Sequence, residues 1–152
     1  FSNLDFDLSK ALFIFSYNHE EKVNSILKDR MYQIKTKGYD KKEKDVIARN
    51  YLIPSIEKNI NFKEGEVTFA DGVFEHIMEK LTRNEKGVRN LKRCLEIIFS
   101  KLNLFRLMEK DTSLFEKEDF INVEFPFEVT IEIVDKLIKQ NDKESIPFGM
   151  YM

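Results

Sequence analysis

The sequence predicts a mainly α-helical chain with a small α/β fragment at its N-terminal end. Residues 11–17, ALFIFSY, form a short and nearly continuous apolar run, which is typical of a strand buried on both faces. From Asp40 onward, apolar residues recur at intervals of three and four, the period of an amphipathic helix. One later segment, VEFPFEV at 123–129, is strand-like, but Pro126 interrupts it and therefore predicts an edge strand.

The α/β fragment follows from the order of patterns in the first 38 residues. The run at 11–17 predicts a central parallel strand, and VNSILKDRM at 23–31 places its apolar residues on one face of a short helix. A second strand-like segment, YQIKT at 32–36, ends near the breaker Gly38. A strand, helix, strand series needs more sheet than these residues supply, because isolated parallel strands leave open edges.

Three helices are predicted next, and together they predict a small bundle. Asp40 and Glu43 have the spacing of a capping box, so a helix should begin there and reach Pro54. Two further helices carry 3,4-spaced apolar stripes. The first stripe is Val73, Phe74, Ile77, Met78 and Leu81, and the second is Val88, Leu91, Leu95, Ile98, Leu102 and Phe105.

The C-terminal part predicts one more helix. Thr130 is placed to cap a helix that runs to about Lys139, and residues 141–152 are expected to form an extended tail.

Composition excludes several classes of protein. The 25 basic and 27 acidic side chains give a net charge of −2, which argues against a general nucleic-acid or anionic-membrane surface. The lysines Lys41, Lys42 and Lys44 alternate with acids, the pattern of a solvated helix face. No apolar run is long enough to span a bilayer, and no signal peptide is recognised.

Cysteine usage is compatible with a reducing compartment, and cysteine and histidine spacing predicts no metal site. Cys94 is the only cysteine and sits in an apolar helical pattern, so we expect a buried thiol in an intracellular protein, either cytoplasmic or of a mitochondrial type. The two histidines, His19 and His76, have no ligand-like spacing with it. Because the chain starts at Phe1 and not at methionine, we expect a piece of something longer.

Gly87 and Arg89 conflict with helix rules if both lie in the third helix of the bundle. Glycine costs about 1 kcal/mol relative to alanine inside a helix, and a cation about five residues from the helix start opposes the macrodipole slightly. A glycine that permits close approach and an arginine beside a helix start would suit a phosphate. The alternative is a surface arginine paired with Glu85 or Glu96.

Two other polar residues stand at element ends. Asn18 closes the predicted strand, where side chains commonly line the ligand crevice of an α/β sheet, although a simple strand-ending turn explains it too. Arg30 ends the short helix, where a cation also serves as a plain C-terminal cap.

Read together, four segments resemble successive parts of the ATPase module of the Lon protease family. They are DLSKALFIFSYN, ILKDRM, GYDKKEKDVIARNYLIP and GVRNLKR, in the family's order, and the resemblance covers about residues 6–105. The segment from Gly38 to Pro54 is the most specific. The segment TRNEKGVR is one residue longer than the family's usual spacing.

The resemblance implies a role for five residues. Asn18 falls at the sensor-1 asparagine, which helps to orient the attacking water, and Arg30 falls at the arginine finger, which reaches the neighbouring subunit's nucleotide. Such fingers are worth roughly 10³ to 10⁵ in rate in other NTPases. Tyr39 and Ile47 resemble the residues that line the adenine pocket, and Arg89 matches the sensor-2 arginine of a helical lid.

The resemblance also implies domains, cofactors and partners. Residues 1–38 would end an AAA+ large α/β subdomain, 39–110 would form the helical-bundle lid, and 111–152 a C-terminal extension. The complete protein would use ATP and Mg²⁺, assemble into a homo-oligomeric ring, expected to be a hexamer, and act on protein substrates.

Two motifs of a complete Lon protease are absent from this sequence. It contains no Gly-x-x-x-x-Gly-Lys-Ser/Thr phosphate loop and no match to the proteolytic domain, so we expect this chain alone to bind no cofactor and to be inactive. The alternatives are a protease-less remodelling ATPase and a non-enzymatic adaptor derived from the lid.

Overall fold

The computed structural model describes residues 5–108 and 121–144. The chain divides into two compact units, Phe1–Thr36 and Lys37–Met152. The described residues confirm the predicted fold class, because helices dominate and one small parallel sheet is present. The position of that sheet, however, differs from the prediction.

The described part of the first unit contains only a 3₁₀ turn, Glu20–Lys22, and one short helix, α1, Ser25–Lys28. The predicted strands at 11–17 and 32–36 are wrong, since neither range is assigned to a strand. Most apolar side chains of the first run are widely exposed, Leu12 and Ile14 by 86% and 85%. A strand needs a paired neighbour, and the described residues of this unit supply none.

The second unit begins with two helices on one continuous helical path. Helix α2, Lys41–Ile47, passes through a π-helical segment, Ala48–Leu52, into α3, Ile53–Ile60. The helical path therefore extends beyond Pro54, where the sequence predicted its end. Pro54 has no amide hydrogen to donate within this path, and it lies directly after the π-helical segment, where the regular α-helical hydrogen-bond pattern is already changed.

The next two helices confirm their predicted apolar stripes. Helix α4, Val73–His76, continues as a π-helical segment, Ile77–Leu81, and α5 spans Arg89–Leu107. All but two of the predicted stripe positions are buried. Leu81 and Val88 are only partly buried and pack against the core.

The parallel sheet pairs β1, Val67–Phe69, with β2, Phe127–Val129, with Val67 opposite Phe127. Strand β2 confirms the strand predicted within 123–129 and begins directly after Pro126. Strand β1 was not predicted, because three residues are too few to show a two-residue period.

Helix α6, Ile131–Glu144, begins as predicted after Thr130, whose hydroxyl oxygen accepts a hydrogen bond from the Ile133 amide at 3.5 Å. It runs past Lys139, so residues 141–144 are helical and not part of a tail. The remaining tail, 145–152, lies outside the described residues, as do residues 109–110 of the predicted lid and residues 111–120 of the predicted extension.

The core of the second unit forms around α5. The Phe99 ring lies 5.8 Å from Phe62 in an edge-on arrangement and 5.9 Å from Phe69, so α5 contacts β1 and the segment after α3. Phe69 also contacts Phe74 of α4 at 5.0 Å between ring centroids. The largest fully buried side chains are Phe99, Ile77, Leu91, Leu95, Ile98, Leu102, Leu137, Val73, Val129 and Val134.

Candidate functional site

The beginning of α2 is fixed by the capping box that the sequence predicts. The Asp40 carboxylate accepts a hydrogen bond from the Glu43 amide at 2.8 Å, and the Glu43 carboxylate accepts one from the Asp40 amide at 2.9 Å. Both bonds satisfy amides that a helix start leaves without partners. Tyr39 therefore stands directly before a well-defined helix start, with half of its surface exposed.

Arg89 is the first residue of α5, and not the fifth as predicted. Gly87 lies outside the helix, so it causes no helix penalty. A Cβ atom built on Gly87 would meet nothing within 4 Å in the part of the chain that the structure describes. The close backbone approach expected at Gly87 is therefore not made by any of the described residues.

A tight turn connects the π-helical segment Ile77–Leu81 to α5. The Asn84 amide donates to the Met78 carbonyl at 2.9 Å, and the Glu85 amide donates to the Thr82 carbonyl at 3.1 Å. Arg83 and Asn84 both have positive φ angles, 48° and 54°, which non-glycine residues rarely adopt. These two bonds tie the first half of the turn, residues 82–85, to itself and to the preceding π-helical segment.

Glu85 supplies the N-terminal cap that α5 lacks at its own boundary. The N-cap residue Val88 has no side chain that can accept a hydrogen bond. The Glu85 carboxylate instead accepts a hydrogen bond from the Leu91 amide at 2.9 Å. A carboxylate at this end also interacts favourably with the helix dipole.

The segment before α2 contacts this turn through its backbone. The Tyr39 amide donates to the Lys86 carbonyl at 2.9 Å. A Cβ atom on Gly38 would come within 2.8 Å of the same carbonyl oxygen, closer than real side chains allow. Gly38 is thus required for close approach, whereas the sequence predicted only a breaker there.

Lys44 adds a side-chain contact to the same turn. Its ammonium group donates a hydrogen bond to the Glu85 carbonyl, and the residue is only 4% exposed. The prediction of a solvated lysine face is therefore wrong at Lys44. The available signal was helical spacing, because Lys44 shares a helix face with the core residue Ala48 four positions on.

We call these contacts of Gly38, Tyr39 and Lys44 with Glu85 and Lys86 the α2–turn clamp. The clamp places the backbone of Tyr39 beside the turn that leads into Arg89. Ile47 lies at the end of α2 and is partly buried. The clamp involves the Tyr39 backbone amide but neither the Tyr39 side chain nor Ile47.

The ion-pair alternatives for Arg89 are not found among the described residues. The Glu85 carboxylate accepts from the Leu91 amide, and Glu96 lies 3.7 Å from the Lys92 ammonium. Arg89 itself is exposed. Its guanidinium is therefore accessible at the start of α5.

Asn18 and Arg30 lie in the first unit, in its irregular part. Asn18 is an exposed residue in a bend, and Arg30 is exposed in the turn after α1. The Arg30 amide donates to the Leu27 carbonyl at 3.1 Å, which continues the helical turn past Lys28. Arg30 therefore lies two residues beyond the last residue of α1, because the helix predicted over 23–31 is limited to Ser25–Lys28.

Other titratable groups contribute no further site within the described residues. Cys94 is buried as predicted, and desolvation raises the pKa of its thiol to about 11, which makes it unreactive at neutral pH. The described residues contain no group of three or more His, Cys, Asp or Glu side chains placed to hold a metal ion. None of the described helices has the length and apolarity needed to cross a bilayer.

Comparison with known proteins identifies the family. No protein-family model matches the chain. The chain is 47% identical over 105 residues to a Lon protease homolog of Acanthamoeba polyphaga mimivirus, covering 69% of this chain and 10% of that protein. It is 42% identical over 100 residues to the Lon protease of Desulfovibrio desulfuricans, covering 66% of this chain and 11% of that one.

A third relative matches a longer part of the chain. The Lon protease of Syntrophomonas wolfei is 36% identical over 119 residues, which cover 78% of this chain and 14% of that protein. The chain thus spans about a tenth of the length of the curated relatives that it matches. With similarity at this level to Lon proteases of a virus and of several bacteria, the chain belongs to the Lon protease family.

Proposed function

We propose that this chain is the part of a Lon-like AAA+ ATPase that contributes sensor 1, the arginine finger and sensor 2. The complete protein would couple ATP hydrolysis to the unfolding, translocation or proteolysis of protein substrates. The observation that carries the proposal is the 47% identity over 105 residues to a Lon protease homolog.

Sensor 2 is proposed at Arg89. A guanidinium presents five N–H donors in a rigid planar arrangement that matches phosphate oxygens. Arg89 is exposed at the start of a long helix, and the two carboxylates expected to neutralise it have other partners. These features support a phosphate contact that forms when the lid approaches bound nucleotide.

Tyr39 and Ile47 are proposed to flank the adenine base. Both lie on the segment that leads from the boundary of the compact units through α2. A half-exposed aromatic ring and a partly buried aliphatic side chain offer the apolar surface that a purine needs.

Asn18 and Arg30 are proposed to act at the γ-phosphate, Asn18 on the attacking water and Arg30 from the neighbouring subunit of a ring. Bound ATP supplies the phosphoanhydride whose hydrolysis releases free energy. The Arg30 guanidinium would neutralise the charge that develops on the γ-phosphate during hydrolysis. The Asn18 side chain would hold the attacking water in line with the bond that breaks. Both side chains are exposed, as a contact with another subunit or a bound nucleotide requires.

The cradle for the phosphates and the ligands for Mg²⁺ are proposed to come from the rest of the complete protein. The sequence of this chain has no phosphate loop. We also propose that the complete protein forms a homo-oligomeric ring and works in a reducing intracellular compartment.

The complete coding sequence and two variants test this function. We expect Arg30→Ala in the complete protein to lower the ATP turnover number by at least roughly 10³ while changing the nucleotide Kd by less than about threefold. Lys35→Ala, which removes an exposed cation of the same unit, is the control. Unchanged turnover in Arg30→Ala would remove Arg30 from the mechanism, and a complete protein without a phosphate loop would refute the ATPase.

A further inference from the structure

We propose that Lys44 is a positioning residue, which sets the orientation of Arg89 by holding the turn that leads into α5. This inference rests on the proposed function, because it assigns Arg89 a ligand. The α2–turn clamp itself is observed among the described residues. The clamp and its effect on Arg89 can therefore be tested separately.

The burial of Lys44 indicates that its ammonium group has a specific task. An ammonium is strongly hydrated, and taking it out of water is costly unless it finds a strong hydrogen-bond acceptor. Lys44 is 4% exposed, and its ammonium donates to the Glu85 carbonyl. A charged donor makes this bond stronger than one between neutral groups.

The acceptor of that bond belongs to the residue that caps α5. The Glu85 carbonyl contacts Lys44, while the Glu85 carboxylate accepts from the Leu91 amide at 2.9 Å. One residue thus connects α2 to the first turn of α5. Arg89 is the first residue of that turn, so its backbone follows the position of Glu85.

The neighbouring backbone contact makes the connection stiff. The Tyr39 amide bonds to the Lys86 carbonyl at 2.9 Å, and Gly38 leaves no room for a side chain against the same oxygen. Two consecutive carbonyls, those of Glu85 and Lys86, are therefore held from α2 and the residues before it. Two anchors at adjacent residues restrict rotation as well as translation of the turn.

The first readout is hydrogen exchange without nucleotide. We expect Lys44→Met, which keeps the linear apolar side chain, to speed exchange of the Leu91 amide by about tenfold. Lys42→Met makes the same chemical change at an exposed position of α2 and should leave that exchange unchanged. Unchanged exchange in Lys44→Met would overturn the clamp.

The second readout separates positioning from general stability, and uses binding of a fluorescent ATP analogue to the complete protein. We expect Lys44→Met to weaken binding about three- to tenfold, and to have less than about a twofold effect when Arg89→Ala is already present. Lys44→Arg, which retains a donor, should restore most of the affinity. An equal loss in both backgrounds would show a merely structural role and overturn the inference.

Outcomes for Arg89 alone distinguish the two proposals. If Arg89→Ala leaves analogue binding and turnover unchanged, sensor 2 is wrong at this residue, and the positioning role fails with it even if Leu91 exchange responds. If Arg89→Ala weakens binding but Lys44→Met does not, only the positioning role is wrong.

A second variant covers the case in which Lys44→Met does not fold. Glu85→Ala removes the carboxylate that caps Leu91 and leaves the Glu85 carbonyl available to Lys44. We expect the same loss of analogue affinity, again only when Arg89 is present. An unchanged affinity in Glu85→Ala would contradict the inference equally.

Discussion

Two apolar segments of similar composition differ in burial: the one in the first compact unit is exposed, and the one in the second is buried. ALFIF, residues 11–15, leaves Ile14 and Phe15 exposed by 85% and 66%, whereas LEIIF, residues 95–99, buries Ile98 and Phe99 completely. The second segment lies on a 19-residue helix with β1, α4 and α6 in the same unit, and the first has no strand partner among the described residues. Apolar composition therefore predicts burial only where a surface exists to receive it.

The same contrast separates the candidate functional residues. Arg89 follows a turn held by the α2–turn clamp, so contacts within its own unit fix its backbone. Arg30 follows a one-turn helix whose described supports are the Asn24 cap and a 3.0 Å ion pair between Lys28 and Glu20. Such partly exposed ion pairs contribute little to the stability of the fold. We infer that the sensor-2 candidate is better fixed by this chain than the arginine-finger candidate.

The largest expected effect comes from truncating a buried aromatic ring of the second unit, with an exposed ring of the first unit as the comparison. Phe99→Ala should lower the free energy of unfolding by about 3–5 kcal/mol, because it leaves a cavity next to Phe62 and Phe69. Phe15→Ala removes an exposed ring and should change it by less than about 0.5 kcal/mol. Denaturant unfolding followed by circular dichroism measures both, and similar losses would contradict the contrast between the units.

A smaller effect distinguishes the two glycines near Arg89. Gly38→Ala should cost about 1–3 kcal/mol, because its methyl group would overlap the Lys86 carbonyl oxygen. Gly87→Ala has open space and should stabilise the chain slightly, by about 0.4–1 kcal/mol. The same unfolding experiment compares them. Equal stability changes would mean that the segment before α2 does not approach the turn.

The smallest expected effect is a pH-dependent one at Glu57 of α3. Desolvation raises the pKa of this carboxyl, and the nearby Glu64 and Glu66 raise it further, so the fold favours the protonated form. The stabilisation that protonation provides is present below the unfolded-state pKa and is lost as pH rises through the higher folded-state pKa. Glu57→Gln should therefore be more stable than the unmodified chain at pH 7 by about 0.5 kcal/mol.

Unfolding at a series of pH values checks that sign. The advantage of Glu57→Gln should shrink as pH falls through the raised folded-state pKa of Glu57, below which the native carboxyl is protonated. Glu128→Gln, an exposed glutamate of β2, should show no comparable trend. An advantage that grows toward acidic pH would show that the carboxylate is stabilised in the fold.

Local patterns predicted the elements of the second unit well and those of the first poorly. The capping box at Asp40, the stripe on α5 and the start of α6 were all readable, because each depends on residues close in sequence. The strand at 11–17 failed because strand formation depends on a distant partner. Strand β1 could not be predicted because its three residues are too few to show a two-residue period, and nothing local indicates the pairing with β2 about 60 residues further on.

The candidate site shows the same limit. Family resemblance singled out Arg89, but neither resemblance nor periodicity indicated that Lys44 contacts the Glu85 carbonyl. That bond joins residues 41 positions apart and uses a backbone acceptor, which leaves no trace in side-chain patterns. Arg89 was also placed too deep in its helix, because the sequence does not reveal that Glu85 caps α5 from outside it.

Hydrogen exchange of the complete protein, with and without a non-hydrolysable ATP analogue, tests most directly whether Arg89 at the start of α5 responds to bound nucleotide. We expect the analogue to slow exchange at residues 85–91 in the unmodified protein and in Lys92→Ala, one helical turn further on, but not in Arg89→Ala. An identical response of Arg89→Ala and the unmodified protein would contradict this expectation.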